Sequence, residues 1–589
     1  MKLQLRNDFR WHVKPEFRAS IDEVSAAIAA GHAQVVKQGR LRTVYRVHSP
    51  NLDVYLKHCR PVGWRAWLRE CFRPAKAILE FRKLGTAAAN NVPTVSALAC
   101  AKRNRFLPGE SILVTRAIPG AVPCGQYLEQ TLPNLPEPVR RRKRQALAKS
   151  LGRFLADLHR AGVVHPDLHP DNLLLSYQHE APVFYILDVH DVQTGVPCGM
   201  RASLKNLAVF NRWFVLRASR SDRLRFWKAY TARRRELDGQ EWPPEKCRDL
   251  EAMTRASNFR LWRSWAKRCF GNNRRFAKVR DHKVMGHAIT EVTTGQLQPL
   301  LADPDAPFRQ ASALLKSSRS SAVAEIAFSC RVGGAQRNPP ACSGGLRCAP
   351  PTLPSCIYKC FRASSLWQFF SNLFRRSACL RSWQNGHAFR DCLLPTPRPL
   401  AVWHRLRFGL LREGYLLTER ITNAEDLHQF LSRVQALPNA ERIGLLRQAL
   451  DQLGRQIRQL HESGWAHRDL KATNILIQMH PESARNESAA PHPRPLSPAE
   501  RGGIWFIDLV GAWRPWRLWE SRRHKDLSRL NASFHASVHL SRTDRLRFLR
   551  AYMNWNLHGQ RGWKEWWRAI QRFTSAKISQ NQLRGRPLT

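Results

Sequence analysis

A stretch of eighteen residues occurs twice in this chain, and no other feature limits the fold so sharply. Leu-Gly-Arg-Phe-Leu-Ala-Asp-Leu-His-Arg-Ala-Gly-Val-Val-His-Pro-Asp-Leu (residues 151–168) is matched by Leu-Gly-Arg-Gln-Ile-Arg-Gln-Leu-His-Glu-Ser-Gly-Trp-Ala-His-Arg-Asp-Leu (residues 453–470), an offset of 302 positions. The same offset carries Val92-Pro93-Thr94 onto Leu394-Pro395-Thr396, and Lys57 in Val-Tyr-Leu-Lys onto Lys359 in Cys-Ile-Tyr-Lys. Three landmarks at one spacing mean two copies of one domain. With 589 residues, 43% of them apolar, each copy can build its own core, which excludes a wholly disordered chain.

The offset changes where loops were added. Upstream it falls to 279, pairing Val35-Val36-Lys37-Gln38-Gly39-Arg40 with Leu314-Leu315-Lys316-Ser317-Ser318-Arg319, so the second copy has 23 extra residues in a Gly, Pro and Cys-rich stretch at 329–355. Downstream it rises to 320 between Asp188 and Asp508, with the added residues including Pro-His-Pro-Arg-Pro-Leu-Ser-Pro at 491–498. Asp-Arg-Leu-Arg-Phe then recurs at 222–226 and 544–548. Within each copy the patterning predicts strands first (35–47 and 52–58; 322–328 and 356–361), then a helix ending before Pro-Thr. A further strand (Ile112 to Thr115; Tyr415 to Thr418) leads into a mostly helical remainder. The expected architecture is therefore α+β, with a small sheet-plus-helix lobe and a larger helical lobe in each copy. The expected boundaries are a first domain at 1–265, a linker at 266–305 near Arg274 and Arg275, a second domain at 306–575 with loop insertions at 329–355 and 480–503, and a flexible tail at 576–589.

The repeated block ends in a polar motif. His165-Pro166-Asp167-Leu168-His169-Pro170-Asp171-Asn172 and His467-Arg468-Asp469-Leu470-Lys471-Ala472-Thr473-Asn474 both fit H-x-D-L-x-x-x-N, each after a helix ending in Leu-His-x-x-Gly and before an apolar strand. Further on, each copy has an Asp closing an apolar run, Asp188 in Tyr-Ile-Leu-Asp and Asp508 in Phe-Ile-Asp. Only 21 of the 96 basic residues are lysine, and between 317 and 524 the lysines are Lys359 and Lys471 alone. In this arrangement the chain resembles the protein-kinase-like superfamily, whose catalytic loop carries a base and a metal-ligating Asn.

That resemblance implies a pair of tandem bilobal kinase-like domains. It implies Asp167 as base in the first copy, Asn172 and Asp188 as metal ligands, and Lys57 on the nucleotide phosphates with Glu80 as its helical partner. In the second copy the corresponding residues are Asp469, Asn474, Asp508 and Lys359, with Lys471 a further cation on phosphate. Both copies depart from the superfamily pattern. Carrying Glu80 across by 302 positions gives Ser382, which cannot pair with a lysine; Pro166 and His169 stand where the second copy has Arg468 and Lys471; and neither copy has a G-x-G-x-x-G loop, Gly39 standing alone.

Fewer than twenty residues separate Asp188 from Lys205-Asn206-Leu207, and Asp508 from Lys525-Asp526-Leu527, with no A-P-E sequence, so a peptide-docking activation segment does not fit. The chain is thus more similar to the lipopolysaccharide kinase family, the Kdo and heptose kinases, through Glu-Phe-Arg-Lys-Leu and Val-Pro-Thr in the first copy and Asn-Gly-His-Ala-Phe-Arg-Asp-Cys-Leu-Leu-Pro-Thr-Pro-Arg-Pro-Leu in the second. This family implies ATP with Mg2+ or Mn2+, a sugar hydroxyl of an anionic lipid A-core glycolipid as acceptor, and a place on the cytoplasmic face of the inner membrane. Protein phosphorylation, including autophosphorylation, and a non-enzymatic ATP-binding scaffold in one or both halves are the alternatives. Oligomeric state is not indicated.

The net charge of +51 requires an anionic partner or solvent. Arg60-Pro-Val-Gly-Trp64-Arg-Ala-Trp67-Leu-Arg69-Glu-Cys-Phe72-Arg73, and Arg362 to Arg376 with Leu366, Trp367, Phe369, Phe370 and Phe374, interleave cations and rings as a membrane interface would, although an amphipathic segment packed on its own lobe has the same pattern. Nucleic-acid binding is the weaker reading, because no recognised module is present and the charge is spread along the chain. No apolar run approaches the ~18 residues of a membrane span, and the first eight residues are polar, so export is not expected. Cys330, Cys342, Cys348 and Cys356 have gaps unlike a zinc knuckle and are expected as reduced thiols.

Overall fold

The computed structural model describes residues 9–328, 355–362, 376–478 and 503–585, apart from 19, 40, 50–51, 104–107, 240, 282–283, 311–313, 319, 408–409, 516–517, 536–539 and 554–561. The expected insertions at 329–355 and 480–503 lie almost wholly outside the described residues, as do Cys330, Cys342, Cys348 and the second Arg and aromatic segment with Trp367 and Phe370. The chain divides into two compact units, the first ending at Phe259 and the second beginning at Arg260.

The first unit opens with β1 (Arg10–Val13), α1 (Ser20–Ala29), β2 (Gln34–Gln38), β3 (Arg42–Ser49) and β4 (Leu52–Cys59). The expected strand at 35–47 is thus two, folded at Gly39, whose N–H donates to the Arg42 carbonyl. Helices α2 (Trp64–Phe72) and α3 (Lys76–Ala89) precede β5 (Ala97–Lys102) and β6 (Ser111–Arg116), and the sheet order is β1-β5-β6-β4-β3-β2. Alternation sends Val47, Val54 and Leu56 into a core that includes Val24 of α1. It leaves Lys57 on the other face, opposite Val44.

A ribbon of β7 (Val122–Pro123), β8 (Leu173–Gln178) and β9 (Ala181–Ile186) lies among the helices α4 (Glu137–Arg160), α5 (Met200–Phe214), α6 (Arg220–Asp238) and α7 (Glu245–Arg268). The repeated Leu-Gly-Arg and Asp-Arg-Leu-Arg-Phe phrases meet in space: a Cβ at Gly152 would lie 2.5 Å from the Phe226 carbonyl oxygen, so only glycine lets α4 and α6 approach this closely.

The second unit repeats this order and corrects the domain limits. The expected linker is folded, because β10 (Phe276–Asp281), β11 (Val284–Ile289) and α8 (Thr294–Ala302) belong to its small lobe. β11 pairs with β15 (Pro399–Arg407) as β1 pairs with β5, and β10 adds an edge strand that has no counterpart among the described residues of the first unit. With β12 (Leu314–Ser317), β13 (Ser321–Ala327), β14 (Ser355–Arg362) and β16 (Leu410–Glu419) the order is β10-β11-β15-β16-β14-β13-β12. Phe276, Val284, Ala288 and Ile289 are buried with Trp383 and Trp403 in one core, which is why this segment cannot be a linker. Helix α9 (Ala378–Asp391) takes the place of α3.

Beyond the small sheet β17 (Ala424–Asp426), β18 (Ile475–Gln478) and β19 (Ile504–Phe506), the larger lobe comprises α10 (Leu427–Gln435), α11 (Asn439–Glu462), α12 (Glu520–Ala532), α13 (Arg542–Met553) and α14 (Trp563–Leu583). The expected tail at 576–589 is helical as far as Leu583 because Ile578 is buried. Gly454 stands over the Phe548 carbonyl as Gly152 does over Phe226.

Candidate active sites

In the first unit, strand alternation turns Lys57 away from the sheet core, and helix α3 brings Glu80 to it. Lys57 Nζ donates to Glu80 Oε1 at 2.5 Å and to Asp188 Oδ1 at 3.2 Å. Glu80 is 3% exposed and Lys57 9%, so neither charge would be tolerable there alone. Burial disfavours the charged ammonium, but Glu80 and Asp188 outweigh it and hold Lys57 above its ordinary value. Burial likewise opposes charge on Asp188, yet Lys57 and Arg42 keep it far below the usual carboxylate range.

Asp188 follows β9 in the left-handed region, φ 55° and ψ 44°, and Asp508 repeats this at φ 54° and ψ 58°. Such backbone is uncommon for Asp and is held here by its surroundings. Thr94 Oγ1 donates to the Ile186 carbonyl at 3.1 Å and Thr396 Oγ1 to that of Phe506 at 2.8 Å. The repeated Pro-Thr dipeptide therefore fixes the strand that delivers the acid.

The H-x-D-L-x-x-x-N loop is tied to the same strand. Asn172 Nδ2 donates to the Asp167 carbonyl at 2.8 Å, and Leu187 N–H donates to the Asn172 carbonyl at 2.9 Å. His165 accepts from Asp167 N–H at Nδ1 and meets the Leu187 carbonyl at Nε2, 3.2 Å each. One proton on Nε2 satisfies both contacts, in keeping with a pKa lowered chiefly by burial. The Asp167 side chain is 81% exposed, with Oδ2 3.6 Å from His169 Nε2. That contact is the main reason its pKa lies below the ordinary value.

The second unit holds fewer charges. Lys359 Nζ donates to Asp508 Oδ1 at 2.9 Å and lies 4.9 Å from the Phe361 ring, while Ser382, at the position of Glu80, is buried. Asn474 Nδ2 donates to the Asp469 carbonyl at 2.9 Å and to its Oδ2 at 3.0 Å. Lys471 immediately precedes the short helix Ala472–Asn474 and is partly buried.

Three sets of residues escaped the sequence reading. Arg42 Nη1 donates to Asp188 Oδ1 at 2.6 Å. Lys83 Nζ donates to the His190 and Val192 carbonyls at 2.8 and 2.6 Å, and Asn385, 302 positions on, donates to those of Leu509 and Ala512 at 2.9 and 2.7 Å, so in both units the helix clamps the turn after the acid. Behind the loop, His159 bonds Tyr230 and Asn206, and Asn206 Nδ2 donates to the His165 carbonyl at 2.7 Å. In the second unit Asp526 replaces Asn206 and accepts from His467 N–H at 2.8 Å. The spacing of Leu-His and Asn206 or Asp526 in both copies was the available signal.

The donor sets are hard oxygens, an Asp carboxylate and an Asn carbonyl left over when its amide NH2 is bonded, which suit Mg2+ or Mn2+. Glu80, Asp188 and His190 also lie close enough to share an ion.

The family model described as "Lipopolysaccharide kinase (Kdo/WaaP) family" matches residues 34–230 and 365–552. A 3-deoxy-D-manno-octulosonic acid kinase of Haemophilus influenzae (strain PittEE) is 32% identical over 131 residues, covering 21% of this chain and 51% of that protein. The lipopolysaccharide core heptose(I) kinase WaaP of Pseudomonas aeruginosa is 24% identical over 247 residues, 40% of this chain and 87% of its own. A solved structure, WaaP in complex with acyl carrier protein, is 23% identical with a TM-score of 0.31, covering 43% of this chain and 99% of that one. The chain thus spans about half the length of the first of these relatives.

Proposed function

Because the chain belongs to the lipopolysaccharide kinase (Kdo/WaaP) family, we propose that it transfers a phosphoryl group from ATP to a sugar hydroxyl of an anionic glycolipid of the lipopolysaccharide-core type. The observation that carries this reading is the first unit's pair of linked clusters: Lys57 between Glu80 and Asp188, and Asp167 beside Asn172, joined through the Leu187 to Asn172 backbone bond. Phosphoryl transfer needs positioning and charge neutralisation more than covalent help from the protein. Lys57 binds the nucleotide phosphates and is itself oriented by Glu80. Asp188 and the Asn172 side-chain carbonyl hold a divalent cation, with Mg2+ the better fit to all-oxygen donors. Bound there, the cation neutralises phosphate charge. Asp167, exposed at the cleft, accepts the proton of the attacking sugar hydroxyl. Lys359, Asp508, Asp469 and Asn474 have the same roles in the second unit, and Lys471 contacts phosphate.

Buried Ser382 favours a second reading for that unit alone, a nucleotide-binding scaffold with little turnover, since Lys359 has no acidic partner on α9.

For the acceptor's surroundings, Trp64, Trp67, Leu68 and Phe72 of α2 are 70, 47, 46 and 83% exposed. Rings of this kind amid arginines suit an anionic interface and support the reading of a peripheral protein on the cytoplasmic face of the inner membrane. Among the described residues no helix is long and apolar enough to cross a membrane.

ATP turnover measured side by side with purified lipid A-core, with a protein substrate and with no acceptor tests the assignment. Acceptor-dependent turnover with the glycolipid alone is the expected result. Turnover with the protein substrate alone would replace it with protein phosphorylation.

A further inference from the structure

The first unit has no glycine-rich loop, yet a kinase must still hold the outer phosphates, which such a loop covers in protein kinases. We propose that Arg42 is a phosphate-positioning residue of the first unit, held on Asp188 until a metal-nucleotide arrives; this rests on the kinase reading above.

The strand register places Arg42 for that task. Arg42 lies opposite Cys59, and Val44 opposite Lys57, in the β3 and β4 pairing, so alternation puts Arg42 and Lys57 on one face of the sheet, one pleat apart. Arg42 also begins β3, and its carbonyl accepts from Gly39 N–H at the β2 to β3 connection, where a glycine-rich loop would lie. Its side chain is 29% exposed and ends 2.6 Å from Asp188 Oδ1, the same oxygen that Lys57 contacts at 3.2 Å. Asp188 Oδ1 is thus engaged by two cations, which leaves Oδ2 as the oxygen it can offer a metal. A divalent ion bound there would compete with the guanidinium for the carboxylate's charge, and Arg42 would then be released within a side-chain length of the phosphates that the ion accompanies. A planar guanidinium can take two phosphate oxygens at once, as backbone amides of a loop would.

Comparison of the two units supports the pairing of roles. At the position of Arg42 the second unit has Ser321, opposite Phe361, and at that of Glu80 it has Ser382. Arg42, Lys57, Glu80 and Asp188 sum to zero charge, and so do Lys359 and Asp508. The two extra charges are present together or absent together. Lys57 lies between Glu80 at 2.5 Å and Asp188 at 3.2 Å, with Arg42 2.6 Å from the same Asp188 oxygen, whereas Lys359 lies 2.9 Å from Asp508 and has serines at both of the other positions. Arg42 and Glu80 are thus one electrostatic arrangement, and it gives the first unit a phosphate contact that the second unit does not have at Ser321.

The test uses the full chain with Lys359→Met, Lys471→Ala and Asp508→Ala, which removes the second unit's phosphate and metal contacts, so that the triphosphate signal reports the first unit. Calorimetric titration with Mg2+ and a non-hydrolysable ATP analogue, and separately with adenosine, is compared for this parent and for added Arg42→Ala, Arg42→Ser, Arg42→Lys and Lys57→Met. Arg42→Ser keeps the proposal testable if Arg42→Ala folds poorly, because serine occupies this position in the second unit. The expected result is a loss of about tenfold or more in triphosphate affinity for Ala and Ser, an unchanged affinity for adenosine, and partial recovery with Lys. Arg42 variants that bind the analogue as tightly as the parent, or more tightly, while Lys57→Met does not, would overturn the proposal and leave the kinase reading intact. A parent that binds neither ligand would overturn both.

Discussion

Buried histidines behind the catalytic-type loops tie the stability of this protein to pH. His159 is fully buried, and burial, aided by the nearby Arg234 charge, lowers its pKa to about 4 against a hydrogen bond to Asn206 that raises it. His461, between Tyr552 and Asp526, is lowered for the same reason. The sign follows from which state binds the proton: below the ordinary value of about 6.5 the unfolded chain takes it up and the buried ring does not, so His159 makes stability fall as pH drops from there toward 4, by roughly 1.4 kcal/mol per pH unit, and His461 acts in the same direction. We expect the urea midpoint of the intact chain to decline over this window. His159→Gln should be less stable near neutral pH, having lost its fitted ring, but should lose less on acidification. A variant with the same acid slope as the parent would show that His159 does not titrate on unfolding.

At the scale of elements, two helices carry opposite kinds of constraint. In α4 the Gly152 position is closed by backbone, with the Phe226 carbonyl 2.5 Å and the Ala229 Cβ 3.0 Å from an added methyl, whereas Gly85 in α3 faces open space. Gly152→Ala should therefore force α4 and α6 apart and cost about 1–3 kcal/mol despite alanine's better helix propensity, while Gly85→Ala should gain about 0.5–1 kcal/mol. Thermal melts of the two variants read this directly, and equal effects would refute the close-packing account of the repeated glycine. Helix α2 is constrained instead by what it leaves outside. With Trp64, Trp67 and Phe72 exposed, replacing Trp64 and Trp67 by Ala should weaken binding to vesicles of anionic lipid without lowering the melting temperature. The same binding should fall with added salt, since surface cations are screened beyond about 10 Å at 0.1 M. Early melting of the double variant would mean that these rings are structural, and retention of oligonucleotides rather than vesicles would favour a nucleic-acid partner.

For the whole molecule, the duplication raises the question of how the work is divided. Asp167→Ala should reduce glycolipid phosphorylation by ~10²-fold or more, and Asp469→Ala by less, because Lys57 has Glu80 where Lys359 faces Ser382. Steady-state rates of the two single variants and the double variant measure the division; a double variant as fast as the parent would end the kinase assignment. Much of this design was legible from the repeat. The two copies, the α+β order of strands and helices, and the Lys, Asp and Asn positions could be read because a duplicated chain supplies its own internal comparison: residues that face the same chemistry twice stay put at constant spacing, as do Gly152 and Gly454. The small-lobe entry of the second copy was missed because β1 shares little sequence with β11, and only their pairing to β5 and β15 makes them equivalent. The sequence by itself thus determined the architecture, the repeat and the candidates for the reacting groups, since local periodicity and motif spacing are written along the chain. The tertiary structure alone decided that 266–305 is core rather than linker, that Lys83 and Asn385 clamp the turn after the acid, and that Arg42 lies on Asp188. Those contacts join residues more than a hundred positions apart, and pairing over such distances depends on strand register and helix packing, which no local pattern encodes.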